Sequence, residues 1–281
     1  MRDGQGTGHS AIFAFGCWRG AAVAAALALA LPAAARAAPA TVCTTIDVCY
    51  CINSENRAAI ELNVGRIRAL IAEQRGKNKA IGYMSLPLTT LGGGYYGVNA
   101  DVAHLTKDTL EKRLGKDSFW ILDPALNDDL PAGASGADYM LMWTTVLEGP
   151  RGLGEDFDLA YFVGPANFRR FFAFDGNDDM AKIDGYFEAR LAQDDKLKQA
   201  VADGRVNKRA FRDYYALRAS AAFSNGAHDE WNIVRILNER RRQAKDFGIA
   251  RQIAVQFDGH AVAPGGYETP VAAGYVGRCE K

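Results

Sequence analysis

Late in the chain, Ser224-Asn225-Gly226-Ala227-His228-Asp229-Glu230-Trp231 brings a hydroxyl, an imidazole, two carboxyls and an indole to the start of a predicted helix. Two uses of these residues share the same physics. Ser224 or Asn225 can cap the helix, with Asp229 and Glu230 gaining a few tenths to ~1 kcal/mol from its positive end. Alternatively, the helix end keeps Glu230 ionised and aims it over a sheet edge. There a carboxylate can attack, or stabilise, the cation-like transition state of glycosidic cleavage. The stretch alone admits both.

Other residues with chemical potential are scattered. Gly92-Gly93-Gly94, in "GGGYYGVN", gives backbone freedom to wrap a ligand, yet it matches neither the Walker loop nor the dinucleotide fingerprint. His228 can contact a base or face solvent, and Trp231 can stack on a base or join the core. His104 and His260 stand without an orienting Asp or a nucleophilic Ser, which leaves no hydrolase triad. Arg240 to Arg242 read as the cationic last turn of the helix that Ser224 begins.

The elements that must position these groups alternate. Residues 55–76 carry Ile60, Val64, Ile67 and Ile71 at helical spacing, with Ser54 as the expected cap. "KAIGYMSLPL", "SFWILDP", "DFDLAYFVGP" and "ARQIAVQFDG" are short apolar runs that read as buried strands. "ADVAHLTKDTLEKRLG", "DYMLMWTTVLEG" and "NIVRILNERRRQAKDFG" read as helices. Strand-helix alternation predicts an α/β fold with a parallel sheet, whose site lies at the carboxyl ends of the strands. Residues 166–222 break the order as a charge-rich helical insertion before the last helix-strand unit.

The chain has 281 residues, 48% apolar and 23% charged, which is enough to bury a globular core. Its formal charge is +0, and residues 1–38 hold Arg2, Arg19 and Arg36 against Asp3, leaving about −2 for the remainder. That excludes a basic surface for a nucleic-acid polymer or an anionic membrane. Residues 1–38, with "AAVAAALALALPAAARAAPA", read as a secretory signal peptide. Pro32 and Arg36 cut the apolar run short of the ~20 residues of a membrane span. Export makes Cys43, Cys49, Cys51 and Cys279 disulfide candidates. Their pairing is open, although Cys49 and Cys51 are too close to bridge each other easily, so that one of them is expected to reach Cys279. Zinc is the alternative reading, against which "CYC" lacks the usual spacer.

Taken in order, "GYMSLP", Asn99 at a helix start, "FWILDP", "DYMLMW", "DLAYFVGP" and Ser-x-Gly-Ala-x-x-Glu-Trp resemble the nucleoside 2-deoxyribosyltransferase-like superfamily. The likeness covers residues 79–165 and 223–260. The resemblance implies a flavodoxin-like parallel sheet flanked by helices, and cleavage or exchange of an N-glycosidic bond. It makes Glu230 the nucleophile and Tyr83 the residue that positions it, with Asp138 or Asp158 as the acid assisting the leaving base. Ser85, Gly93, Gly94, Asn99, Ser224, Gly226, His228 and Trp231 form the expected substrate-binding set. No metal or organic cofactor is required, the partner is a small nucleoside or nucleotide, and a homo-oligomer is implied. The chain departs from the family in the insertion at 166–222 and in its export signal.

The expected organisation is a signal peptide (1–38), a cysteine-bearing segment and helix (39–78), the α/β domain (79–260) and a C-terminal tail (261–281). The expected function is that of an exported N-glycosidase or glycosyl transferase. The rival is an exported non-catalytic binding protein on the same fold. It would dock a partner through its insertion, where "FRRFFAF" exposes aromatics unless they are buried.

Overall fold

A computed structural model describes residues 38–88, 91–127, 129–245 and 251–280; the expected signal peptide, apart from Ala38, lies outside them. The described chain opens with a hairpin that was not read from the sequence, β1 (Pro39–Cys43) antiparallel to β2 (Cys49–Asn53). Cys43 faces Cys49 across the hairpin and is bonded to it, while Cys51 is bonded to Cys279. Both bonds belong to an oxidising compartment, and they consume the thiols that the zinc alternative needed.

The apolar runs form β3 (Ala80–Ser85), β4 (Phe119–Leu122), β5 (Leu159–Phe162) and β6 (Ala254–Phe257). They pair in parallel in the order β4-β3-β5-β6, and β7 (His260–Ala261) adds an antiparallel edge. The tight turn into β7 uses Asp258 and Gly259, both at positive φ, as a two-residue hairpin requires. From β3 the chain moves outward to β4, then crosses back to β5. The carboxyl ends of β3 and β5 therefore flank a topological switch point, where open α/β sheets bind ligands.

Side chains alternate across the sheet. Ile81 and Tyr83 enter a core with α1 (Arg57–Gly76), α3 (Gly136–Glu148) and α8 (Asn225–Gln243). Met84 faces the opposite core, with α2 (Tyr96–Leu114). This is an α/β fold of flavodoxin-like type, a mostly parallel five-stranded sheet with helices on both faces.

The insertion comprises α4 (Pro165–Phe171), α5 (Asp179–Gln193), α6 (Asp195–Ala202) and α7 (Lys208–Leu217). It extends the α2-side core through Phe168, Phe172, Phe187, Phe211 and Tyr215. The aromatics of "FRRFFAF" thus pack inward while Arg169 and Arg170 face solvent, so the stretch does not present the aromatic surface on which the docking alternative depended. Ser54 is a second correction. It lies in a 3-10 turn and donates to the Ala38 carbonyl at 2.7 Å, and α1 begins three residues later without a side-chain cap.

Candidate active site at the carboxyl edge of the sheet

The first turn of α8 is fixed by its own sequence. Ser224, in extended conformation, accepts from the Ala227 amide through Oγ at 3.3 Å, so the capping role is real. It does not exhaust the motif. One turn on, the buried Glu230 accepts from the Tyr83 hydroxyl at 2.5 Å and, through its other oxygen, from the Ser85 hydroxyl. Period-2 alternation puts Tyr83 and Ser85 on the same face of β3, so one helix carboxyl can engage both. Edge-on contacts with Trp143 and Phe157, at 6.0 and 5.8 Å, hold the Tyr83 ring.

Electrostatics correct the expectation that Glu230 is simply ionised. Burial pushes its carboxyl up to about 7, against the opposing pull of the Ser85 and Tyr83 hydrogen bonds, and the neighbouring Asp229 raises it further. Burial, then Glu230 itself, holds the Tyr83 phenol well above its usual range, so Tyr83 remains the donor. A buried carboxyl poised near neutrality at a switch point is a functional-site signature.

A cavity of about 280 Å³ has Phe162, Trp231, Phe257, Val271, Ala227 and His228 among its walls. Phe162 pairs in register with Ser85, so one strand spacing of about 4.8 Å separates the cavity wall from the residue holding Glu230. Glu230 is not among the cavity's lining residues. Trp231 packs edge-on against Phe162 at 4.9 Å. His228 hydrogen-bonds through Nε2 to the Ala222 carbonyl at 2.9 Å.

Other expected site residues fall elsewhere. Asp138 is fully buried at the start of α3, where it accepts from Asn53, Asn56 and Ser135; it fastens the hairpin to the domain. Asp158 precedes β5, at the amino edge of the sheet, where it accepts from the Ile81 amide and pairs with Arg75. Strand direction puts Asp158 at the wrong edge to assist a leaving base, and Asp138 is occupied by its structural partners.

Gly93, at φ 108°, lets its backbone approach α7. A Cβ there would meet the Ala210 carbonyl oxygen at 2.1 Å, so the loop is spent on packing against the insertion, with Gly94 buried beside it. Asn99, also buried, accepts from the Tyr215 hydroxyl at 2.9 Å and ties α2 to α7. Gly226 leaves room for Met140, whose sulfur would sit 3.2 Å from an added Cβ.

Several features escaped the sequence reading. Asp229, fully buried, accepts from the Gly274 and Tyr275 amides at 2.7 Å each, and Asn232 exchanges two hydrogen bonds with the Val271 backbone. The expected tail is therefore a strap across the start of α8. His104, read as isolated, has Nε2 3.5 Å from Asp123 Oδ2. Period 2 from Tyr83 was the available signal for Ser85 as a partner of Glu230. Nothing local marks residues so far apart as Asp229 and Gly274.

Among the described residues no cluster of His, Cys, Asp and Glu could hold a metal ion, and no helix is long and apolar enough to cross a membrane. No protein-family model matches the chain, and no curated protein or solved structure matches it.

Proposed function

We propose that the protein is an exported, periplasmic or secreted, N-glycosidase or N-glycosyl transferase acting on a nucleoside, nucleotide or related ribosyl compound, with Glu230 as nucleophile. One observation carries the reading: a buried carboxyl is clamped by Tyr83 and Ser85 at the carboxyl end of β3, and the next residue, Trp231, lines a cavity against β5 and β6. A carboxylate has about four lone-pair sites, and two hydroxyl donors leave the others for an anomeric carbon. Ionised Glu230 attacks that carbon, the bond to the base breaks, and water or a second base then releases the sugar. Tyr83 and Ser85 fix the attacking oxygens and lower the cost of their ionisation. Export is supported by the signal-like N-terminus and by the two disulfides.

The test is base release from a panel of ribo- and deoxyribonucleosides and their 5′-phosphates, for the wild type and Glu230→Gln. The expected result is turnover by the wild type and none by the variant, with circular dichroism unchanged. Equal turnover by both rejects Glu230 as nucleophile, and none by the wild type rejects the activity.

A further inference from the structure

Phe162 and Phe257 are partners in the register of β5 and β6, so their side chains leave one face of the sheet at neighbouring carboxyl ends, one strand spacing of about 4.8 Å apart. Both line the cavity of about 280 Å³, and Trp231, edge-on to Phe162, supplies a third ring. Ala221, Ala222 and Ala227 line it where larger side chains would take up the space. Val271 adds a wall from the C-terminal strap. Its amide donates to Asn232 Oδ1 and its carbonyl accepts from Asn232 Nδ2, both at 3.0 Å. Among the described residues the lining holds no Asp, Glu, Lys or Arg. His228 is its one titratable member, and a carbonyl oxygen only accepts, so the Nε2 proton of His228 is given to Ala222.

We infer that this cavity binds a small uncharged aromatic molecule of one or two rings. The inference goes beyond the glycosidase reading and does not depend on it, since Glu230 is not a lining residue. A phosphate, carboxylate or ammonium placed among these walls would give up its hydration without a counter-charge, which excludes charged ligands. Three aromatic side chains favour a flat ring, because ring pairs in edge-on or offset contact gain attraction beyond the area they bury. Size sets the upper bound. A cavity of about 150 Å³ lined by Leu, Ile and Phe admits benzene, and about 280 Å³ extends that to a fused pair such as indole. The place in the fold agrees, since open α/β sheets take their ligands at the carboxyl ends of the strands. Because Val271 is one of the walls, an occupant contacts the docked strap and not a released one. By linkage it must then hold the strap in place.

The experiment titrates the protein with toluene and indole, and with benzoate and benzylamine as charged analogues of one ring, by calorimetry. Ala222→Leu and Val271→Phe, at two exposed positions, each put added side-chain atoms into the cavity. The expected result is saturable binding of toluene or indole at one site per chain, with the charged analogues at least tenfold weaker and both variants at least tenfold weaker for the ring that binds. Circular dichroism identifies a variant that has lost its fold, and the other variant then decides. Bound indole or toluene should also slow proteolysis of residues 262–278 in the wild type. Saturable binding of neither ring overturns the proposal, as does binding of the charged analogues with equal affinity. Undiminished affinity in a folded variant places the ring elsewhere and overturns it too. Unchanged cleavage of the strap with the ring bound removes Val271 as a wall of the occupied site, and with it the site as proposed. Each of these results leaves the role of Glu230, which base release tests, untouched.

Discussion

Asp229 and Glu230 are adjacent in the second turn of α8, and each fastens it to a different segment. Glu230 takes the hydroxyls of Tyr83 and Ser85 on β3, and Asp229 takes the amides of Gly274 and Tyr275 on the C-terminal strap. Both are buried, and Asp229 is among the causes that lift the Glu230 carboxyl. The turn is thus seated by two carboxyls, at a free-energy cost that a merely structural turn would avoid.

That cost has a sign. A carboxyl that ionises near 4.5 in the unfolded chain and at about 7 in the fold keeps its proton longer in the native state. Its contribution is favourable below about pH 4.5 and is lost as pH rises through 7, by about 3 kcal/mol in all. Glu230→Gln should therefore be more stable than the wild type at pH 8, with the gap closing at pH 5. Urea unfolding at the two pH values measures it, and a pH-independent gap would refute the linkage.

Turnover should show the same ionisation from the other side. The nucleophile must be deprotonated, so the rate should fall on the acid side with a midpoint near 7. Tyr83→Phe and Ser85→Ala each remove a hydrogen bond that lowers the Glu230 carboxyl, and should move that midpoint to higher pH. Asp229→Asn removes a raising influence and should move it lower. Opposite displacements in a single set of pH profiles would be hard to obtain from general loosening, and displacements of one sign in all three variants would refute this assignment.

Asp229 also carries the strap. Asp229→Ala leaves two partly buried amides without an acceptor, at about 1–3 kcal/mol in total stability. Limited proteolysis should then cut residues 262–278 faster than in the wild type, and Asp229→Asn, which keeps one acceptor, should fall between. Unchanged cleavage in the alanine variant would mean that the disulfide to Cys51 alone holds the segment.

The strands and helices of the α/β domain were legible because burial on both faces writes continuous apolar runs, and helices write a 3.6-residue period. "KAIGYMSLPL", "SFWILDP" and "DFDLAYFVGP" contain β3, β4 and β5, with bounds that differ by up to three residues. The β1–β2 hairpin was illegible because β1 is half-exposed and β2 offers only Tyr50 and Ile52, both buried in the core, alongside its cysteines, too few to write a continuous apolar run.

The Glu230–Tyr83 pair was named from the order of motifs, which local physics alone could not have joined across 147 residues. Asp138 and Asp158 were misplaced for different reasons. The first is an N-terminal capping carboxylate, whose sequence signature is the same as that of a catalytic one. The second precedes its strand rather than following it, a distinction visible only once strand direction is fixed. The Glu230 ionisation was also beyond sequence, since a helix end favours the charge while burial, unseen until the fold is known, opposes it more strongly.

The bond between Cys51 and Cys279 spans 228 positions and turns nearly the whole α/β domain into a covalent ring. Loop-closure entropy sets an upper limit on the order of 5 kcal/mol for its effect on the unfolded state. A single cut anywhere between those cysteines, including within the helical insertion, linearises the ring but releases no fragment. A nicked molecule would therefore migrate as one species on a gel until a thiol is added, and only then as two.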